Sequence, residues 1–176
     1  MQGASGAHYP SFAAFANSGS GGTSGWQLME ATRVSYTLDS SLESVNKAEA
    51  AAHEVARRSG FGEEEAERIS MAVREATINA VLHGNHYDKK KRVQLAFETT
   101  KERMTVSVRD EGRGLDPARL PDPLAPENLL KQSGRGIFLI RAFMDEVRFR
   151  KLAPGTEITL VKCARNHAHE GKEELL

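Results

Sequence analysis

The run Val106-x-Val108-x-Asp110-Glu111-Gly112-Arg113-Gly114 ends an apolar strand in an acid and follows it with two glycines one residue apart. A carboxylate at that place can accept a hydrogen bond from an exocyclic amine, while bare glycine backbone can approach a flat ring. Adenine offers such an amine and guanine a carbonyl, so a site built on this acceptor separates the two. A plainer reading of the same residues is an Asp-Glu-Gly turn that closes a hairpin. A second run, Ser133-Gly134-Arg135-Gly136, leads directly into the helical pattern Ile137 to Phe143. Unpaired N–H groups and the helix dipole converge at such a start and attract an anion, and Arg135 can add a charge-assisted bond to phosphate. It is neither a P-loop, since no Gly-Lys-Ser/Thr follows, nor a dinucleotide fingerprint, since no strand precedes it. The third group is Glu75, Asn79 and His83, whose spacing of four lines them along one helix face. Ala72 and Ala76 share that face, so polar residues interrupt a core stripe. Each alone reads as a helix edge in water, but Gly84 just beyond the file lets the backbone turn sharply beside a ligand.

The elements that must hold these residues follow from periodicity. Arg33 to Leu38 alternates as a strand, and Asp39 or Ser40 then caps a helix, with Ser40-x-x-Glu43 as a capping box and Gly60 as its stop. Glu63, Glu64 and Glu65 open a second helix, their charge matching the dipole, and it runs through Ile69, Val73, Ala76 and Ala80 towards Gly84. Lys89-Lys90-Lys91-Arg92 reads as a solvated turn. Strands Val93 to Glu98 and Thr105 to Asp110 follow, joined near Lys101-Glu102. Pro117 to Pro126 is a loop, Gly136 to Phe143 a helix with Ile137, Ile140 and Phe143 inward, and Val147–Lys151 with Thr156–Lys162 a hairpin around Pro154-Gly155. Cys163 reads as a small packed residue. The pattern predicts an α/β two-layer sandwich with a mixed, mostly antiparallel sheet and helices packed on one face.

Composition narrows the setting. The 176 residues contain 39% hydrophobic and 27% charged side chains with a formal net charge of zero, an ordinary soluble profile with no global charge for nucleic acid or an anionic membrane. No apolar run is long enough to cross a bilayer, and the first Lys or Arg is Arg33, so the start lacks the basic region expected of a secretory leader. One cysteine excludes an internal disulfide. A cytoplasmic protein is expected. Residues 1–31 form a Gly/Ser-rich extension, 32–163 a domain and 164–176 a polar tail in which His167 and His169 are a poor metal site.

In order and spacing together, these runs resemble the ATP-binding superfamily that includes histidine kinases, topoisomerase and mismatch-repair ATPases, and heat-shock chaperones. Glu75-Ala-Thr-Ile-Asn79 is similar to its N box, Asp110 to Gly114 to its first glycine box, Ser133 to Gly136 to its second, and Gly155-Thr156 to the Gly-Thr of its last strand. Within that superfamily, Glu75 to Gly84 and Ser133 to Glu146 resemble the bacterial anti-sigma factor serine kinases. The resemblance covers about Val34 to Cys163 and implies a histidine-kinase-like ATPase fold, ATP and Mg²⁺ as cofactors, and protein-serine kinase activity. It implies Glu75 as the base towards a substrate hydroxyl, Asn79 as the oxygen ligand of Mg²⁺ and Asp110 as the adenine acceptor. His83, Gly112, Gly114, Ser133, Gly134, Arg135, Gly136 and Thr156 would complete the nucleotide site. Arg113, Lys131 and Arg135 all remain open for the γ-phosphate. The implied partners are a sigma factor and an anti-anti-sigma protein, and the implied assembly is a homodimer. Two other functions fit the same boxes: a nucleotide-gated binding module without transfer, and a stand-alone histidine-kinase-type catalytic domain.

Overall fold

The computed structural model describes residues 31–114 and 135–164. Strand β1 (Thr32–Asp39) leads into helices α1 (Leu42–Arg58) and α2 (Glu63–Ile78), and α2 continues as a π-helical turn, Asn79–Gly84. Strands β2 (Arg92–Thr99) and β3 (Arg103–Arg109) follow, then α3 (Arg135–Phe143), β4 (Glu146–Lys151) and β5 (Thr156–Cys163). The sheet runs β1-β2-β3-β5-β4 with every neighbouring pair antiparallel, so the expected mixture of directions is absent from the described strands.

Alternation decides which face is buried. Val93, Leu95 and Phe97 of β2, Met104, Val106 and Val108 of β3, and Ile158 and Leu160 of β5 point to one side and are buried. The intervening Gln94 and Glu98, with Arg33, Ser35 and Thr37 of β1, face solvent. The helices cover the apolar side. Helix α1 buries Val45, Ala48, Ala52 and Ala56, and α2 buries Ala66, Ile69, Ala72, Val73 and Ala76. Alanines along both helices allow a close approach, since the distance between helix axes is set by side-chain size. Phe97 is among the largest fully buried side chains, and Tyr36 meets its ring edge-on with centroids 6.1 Å apart.

Helix ends confirm one expected signal and correct another. Gly60, at φ +90°, ends α1: its N–H donates to the Arg57 carbonyl at 3.1 Å, and the Phe61 N–H donates to the Ala56 carbonyl at 3.1 Å. This is the Schellman arrangement, with Phe61 buried just beyond it. The start of α1 is capped by Ser41, whose Oγ accepts from the Ser44 N–H at 3.3 Å, and not by Asp39 or Ser40. Ser40 is committed elsewhere, donating to the Lys91 carbonyl at 2.9 Å, and Glu43 pairs with Lys47 at 2.8 Å instead of closing a capping box. Cys163 is exposed, because the alternation that turns Lys162 inward turns Cys163 outward. The expected loop Pro117 to Pro126, together with His167 and His169, lies outside the described residues.

Phe97→Ala is expected to lower stability by about 3–5 kcal/mol, the usual cost of emptying an aromatic core position. Urea unfolding of the two proteins measures it, and a loss under about 1 kcal/mol would contradict this packing.

Candidate nucleotide site

Asp110 stands one residue past β3 and is only 5% exposed. Its main-chain N–H donates to the Thr156 carbonyl at 3.0 Å, which carries the β3–β5 ladder one step further. Its Oδ1 accepts from the Gly112 N–H at 2.8 Å and from the Thr156 N–H at 3.2 Å. No lysine or arginine pairs with this carboxylate among the described residues, although Lys91 and Arg109 lie near enough to act on it electrostatically. Burial pushes its pKa upward, opposed by the Gly112 and Thr156 N–H groups and by those two cations.

Three glycines let main chain close around this acid. A β-carbon on Gly84 would sit 2.4 Å from the Asp110 Cγ, and one on Gly112 would sit 2.2 Å from the Gly84 carbonyl oxygen. Gly155, at φ +101°, would place one 1.9 Å from the Asp110 carbonyl oxygen. The space left by the missing side chains is therefore filled by the Asp110 side chain at Gly84 and by main chain at Gly112 and Gly155. At Gly112 the missing side chain admits the Gly84 carbonyl. Gly114 sits against Gly155 and Lys151, and Arg113 beside it is exposed.

The π-helical turn delivers Gly84 to this point. The Asn85 N–H donates to the Ala80 carbonyl at 2.8 Å, an i to i+5 bond that adds one residue to the turn. Glu75 and Asn79, one α-helical turn apart before it, are half-buried, while His83 within it is exposed. Helix α3 packs beside α2 with its first turn on Glu75, since a β-carbon on Gly136 would lie 2.6 Å from the Glu75 Oε2. The positive end of the α3 dipole thus meets a carboxylate. Arg135, the first residue of α3, is exposed. Ser133, Gly134 and Lys131 lie outside the described residues. The structure thus gathers Asp110, Gly112, Gly114 and Thr156 into one cluster, with Glu75 and Gly136 in a second, and α2 joins the two.

Two polar side chains that sequence reasoning passed over hold this frame. Asn85 is completely buried: its Nδ2 donates to Ser40 Oγ at 2.8 Å and to the Arg92 carbonyl at 3.0 Å, and its Oδ1 accepts from the Glu111 N–H at 2.8 Å. Lys162, 6% exposed, donates through Nζ to the Phe143 carbonyl at 3.0 Å, at the C-terminal end of α3. A cation at that end is favoured by the helix dipole. A buried lysine at an inward strand position was the available signal for the second. For the first, nothing local distinguishes Asn85 from any polar residue after a helix.

As a metal site the arrangement is sparse. Among the described residues no group of three or more His, Cys, Asp or Glu gathers to hold an ion. A hard cation that brings phosphate and water oxygens with it needs few protein ligands, and the half-buried Asn79 amide offers one oxygen of the required kind.

The raised Asp110 pKa has a consequence with a definite sign. The folded protein holds this proton more tightly than the unfolded chain, whose ordinary value is 3.8, so the group's contribution to stability is full below 3.8 and is lost as the pH rises through the folded value. Asp110→Asn removes that titration. Wild type is expected to gain stability relative to Asp110→Asn as the pH falls from neutral towards 3.8, measured by urea unfolding across that range. A difference of opposite slope would overturn this.

Comparison with known proteins places the chain in a family. Residues 38–162 match the family of the histidine kinase-like ATPase domain. The chain is 33% identical over 114 residues to the serine-protein kinase RsbW of Bacillus subtilis, covering 61% of this chain and 71% of that one. It is 30% identical over 138 residues to the serine-protein kinase RsbW of Staphylococcus epidermidis, covering 73% and 85%. A crystal structure of the RsbU and RsbW domains of a Mycobacterium tuberculosis protein shares the fold at a TM-score of 0.56 and 23% identity, over 76% of this chain and 33% of that longer one. The chain belongs to the histidine kinase-like ATPase family and, within it, to the RsbW serine-protein kinases.

Proposed function

We propose that this chain binds Mg²⁺·ATP and transfers the γ-phosphoryl group to a serine of an anti-anti-sigma protein, and that it also binds a sigma factor. The observation that carries the nucleotide half is Asp110: a buried acid, both of whose main-chain bonds fall on Oδ1, at a strand end bounded by three glycines. Such an acceptor suits the adenine amine. Asn79 would give its amide oxygen to Mg²⁺, which would neutralise phosphate charge when bound. Exposed Arg113 and Arg135 are the described cations available to the phosphates. In the transfer, the serine oxygen bonds to the γ-phosphorus, the bond from that phosphorus to the bridging oxygen breaks, ADP leaves, and Glu75 accepts the hydroxyl proton. Phosphoryl transfer needs mostly positioning and charge stabilisation, so one carboxylate to orient the nucleophile is sufficient.

The two partners and a homodimeric assembly come from the likeness to RsbW proteins, and the site of action is proposed to be the cytoplasm. Among the described residues no helix is long and apolar enough to cross a membrane.

Incubation with labelled ATP and candidate partners, followed by acid and base treatment, tests the reaction. Acid-stable phosphoserine is expected. Acid-labile phosphohistidine would reassign the chain as a histidine-kinase-type catalytic domain, and bound ATP without transfer would make it a nucleotide-gated binding module. Glu75→Ala is expected to keep nucleotide binding and to slow transfer by about 10²–10⁴-fold. Wild-type rates in that variant would remove Glu75 from the role of base. Asn79→Ala is expected to weaken magnesium-dependent ATP binding, and unchanged magnesium dependence would remove its metal role.

A further inference from the structure

We propose that Asn85 is the positioning residue that sets the adenine-reading loop, and that the selectivity of Asp110 for adenine depends on it. This rests on the reading of Asp110 as adenine acceptor. Asn85 is 0% exposed, and its amide joins three separate segments: the β1–α1 junction through Ser40, the start of β2 through the Arg92 carbonyl, and the loop after β3 through the Glu111 N–H. The junction is tied back as well, because Ser40 Oγ donates to the Lys91 carbonyl at 2.9 Å. Glu111 is held at a second point, its Oε2 accepting from the Arg92 N–H at 2.7 Å. The peptide unit that follows Asp110 is thus pinned through its N–H by Asn85. Its carbonyl oxygen is hemmed in by Gly155, where a β-carbon would come within 1.9 Å. Little freedom is left to the backbone that aims the Asp110 carboxylate.

Asparagine suits this position chemically. Two donors and one acceptor are needed on a short stem, which a primary amide supplies. Aspartate would keep an acceptor for the Glu111 N–H, lose both donors and bury a charge against the Arg92 carbonyl and a Ser40 hydroxyl whose hydrogen is already given to Lys91. Glutamine would carry the same groups one carbon too far. A purely structural plug would cost stability when removed and leave the preference between purine nucleotides alone. A positioning residue shifts that preference.

Affinities of ATP and GTP for wild type, Asn85→Ala and Ser40→Ala, read by calorimetry beside thermal melts, make the test. Wild type is expected to prefer ATP. Asn85→Ala is expected to lose about tenfold in ATP affinity, the scale of one lost hydrogen bond, with GTP affinity little changed, so that the ratio falls by about tenfold. Ser40→Ala, which cuts only the far side of the network, is expected to melt lower and to keep the ratio. A preference absent from wild type overturns the Asp110 reading and this inference with it. A wild-type preference that survives in folded Asn85→Ala overturns the role of Asn85 alone. Where Asn85→Ala does not fold, hydrogen exchange of the Glu111 amide in wild type decides. It is expected to be protected like the β3 amides and to slow further when ATP is added. Exchange at the rate of an open loop, or unresponsive to ATP, contradicts the proposal.

Discussion

The closeness with which main chain approaches the Asp110 carboxyl is the constraint on which the rest of the site depends. A buried acid is unfavourable unless donors meet it, and the Gly112 and Thr156 N–H groups do so through Oδ1. They can reach it because Gly84, Gly112 and Gly155, from the end of α2, the loop after β3 and the β4–β5 turn, carry no β-carbon to intervene. Three parts of the chain far apart in sequence are thereby locked at one point. That point, and not any single loop, is what Gly84, Gly112 and Gly155 make possible.

Helix α2 carries this constraint to the proposed chemistry. Glu75 and Gly84 lie on one continuous helical run, the first against the start of α3 and the second against Asp110. Helix α3 is held at both ends, by Glu75 beside Gly136 and by Lys162 at the Phe143 carbonyl. Asp145 reinforces the second hold, its Oδ2 accepting from the Cys163 N–H at 2.7 Å while its Oδ1 lies 3.5 Å from Lys162 Nζ. The start of α3 rests directly on Glu75.

Much of this was legible in the chain. Alternation in β2, β3 and β5 gave their buried faces, and Gly60 and Gly84 marked both helix stops, because these signals are local. Where tertiary contacts decide, the sequence was silent. Ser40-x-x-Glu43 satisfies the capping-box pattern, but Ser40 is bonded to Lys91 and Asn85, and the cap falls to Ser41. The π-helical turn was invisible, since spacing of four continues through Asn79 and His83 while the backbone inserts a residue. Cys163 was misread as packed for want of the strand's parity near its end. The glycines are recognisable as a motif, but their neighbours in the fold are not: Gly112 lies against Gly84 and Gly114 against Gly155.

Asp110, set in this glycine frame, is proposed to read the amine of adenine. Calorimetric titration of the wild-type protein with ATP and with inosine triphosphate, which replaces that amine by a carbonyl, tests it most directly. ATP is expected to bind more tightly by at least about tenfold, since losing the amine leaves a buried acceptor unpaired. Equal affinities for the two nucleotides would contradict it.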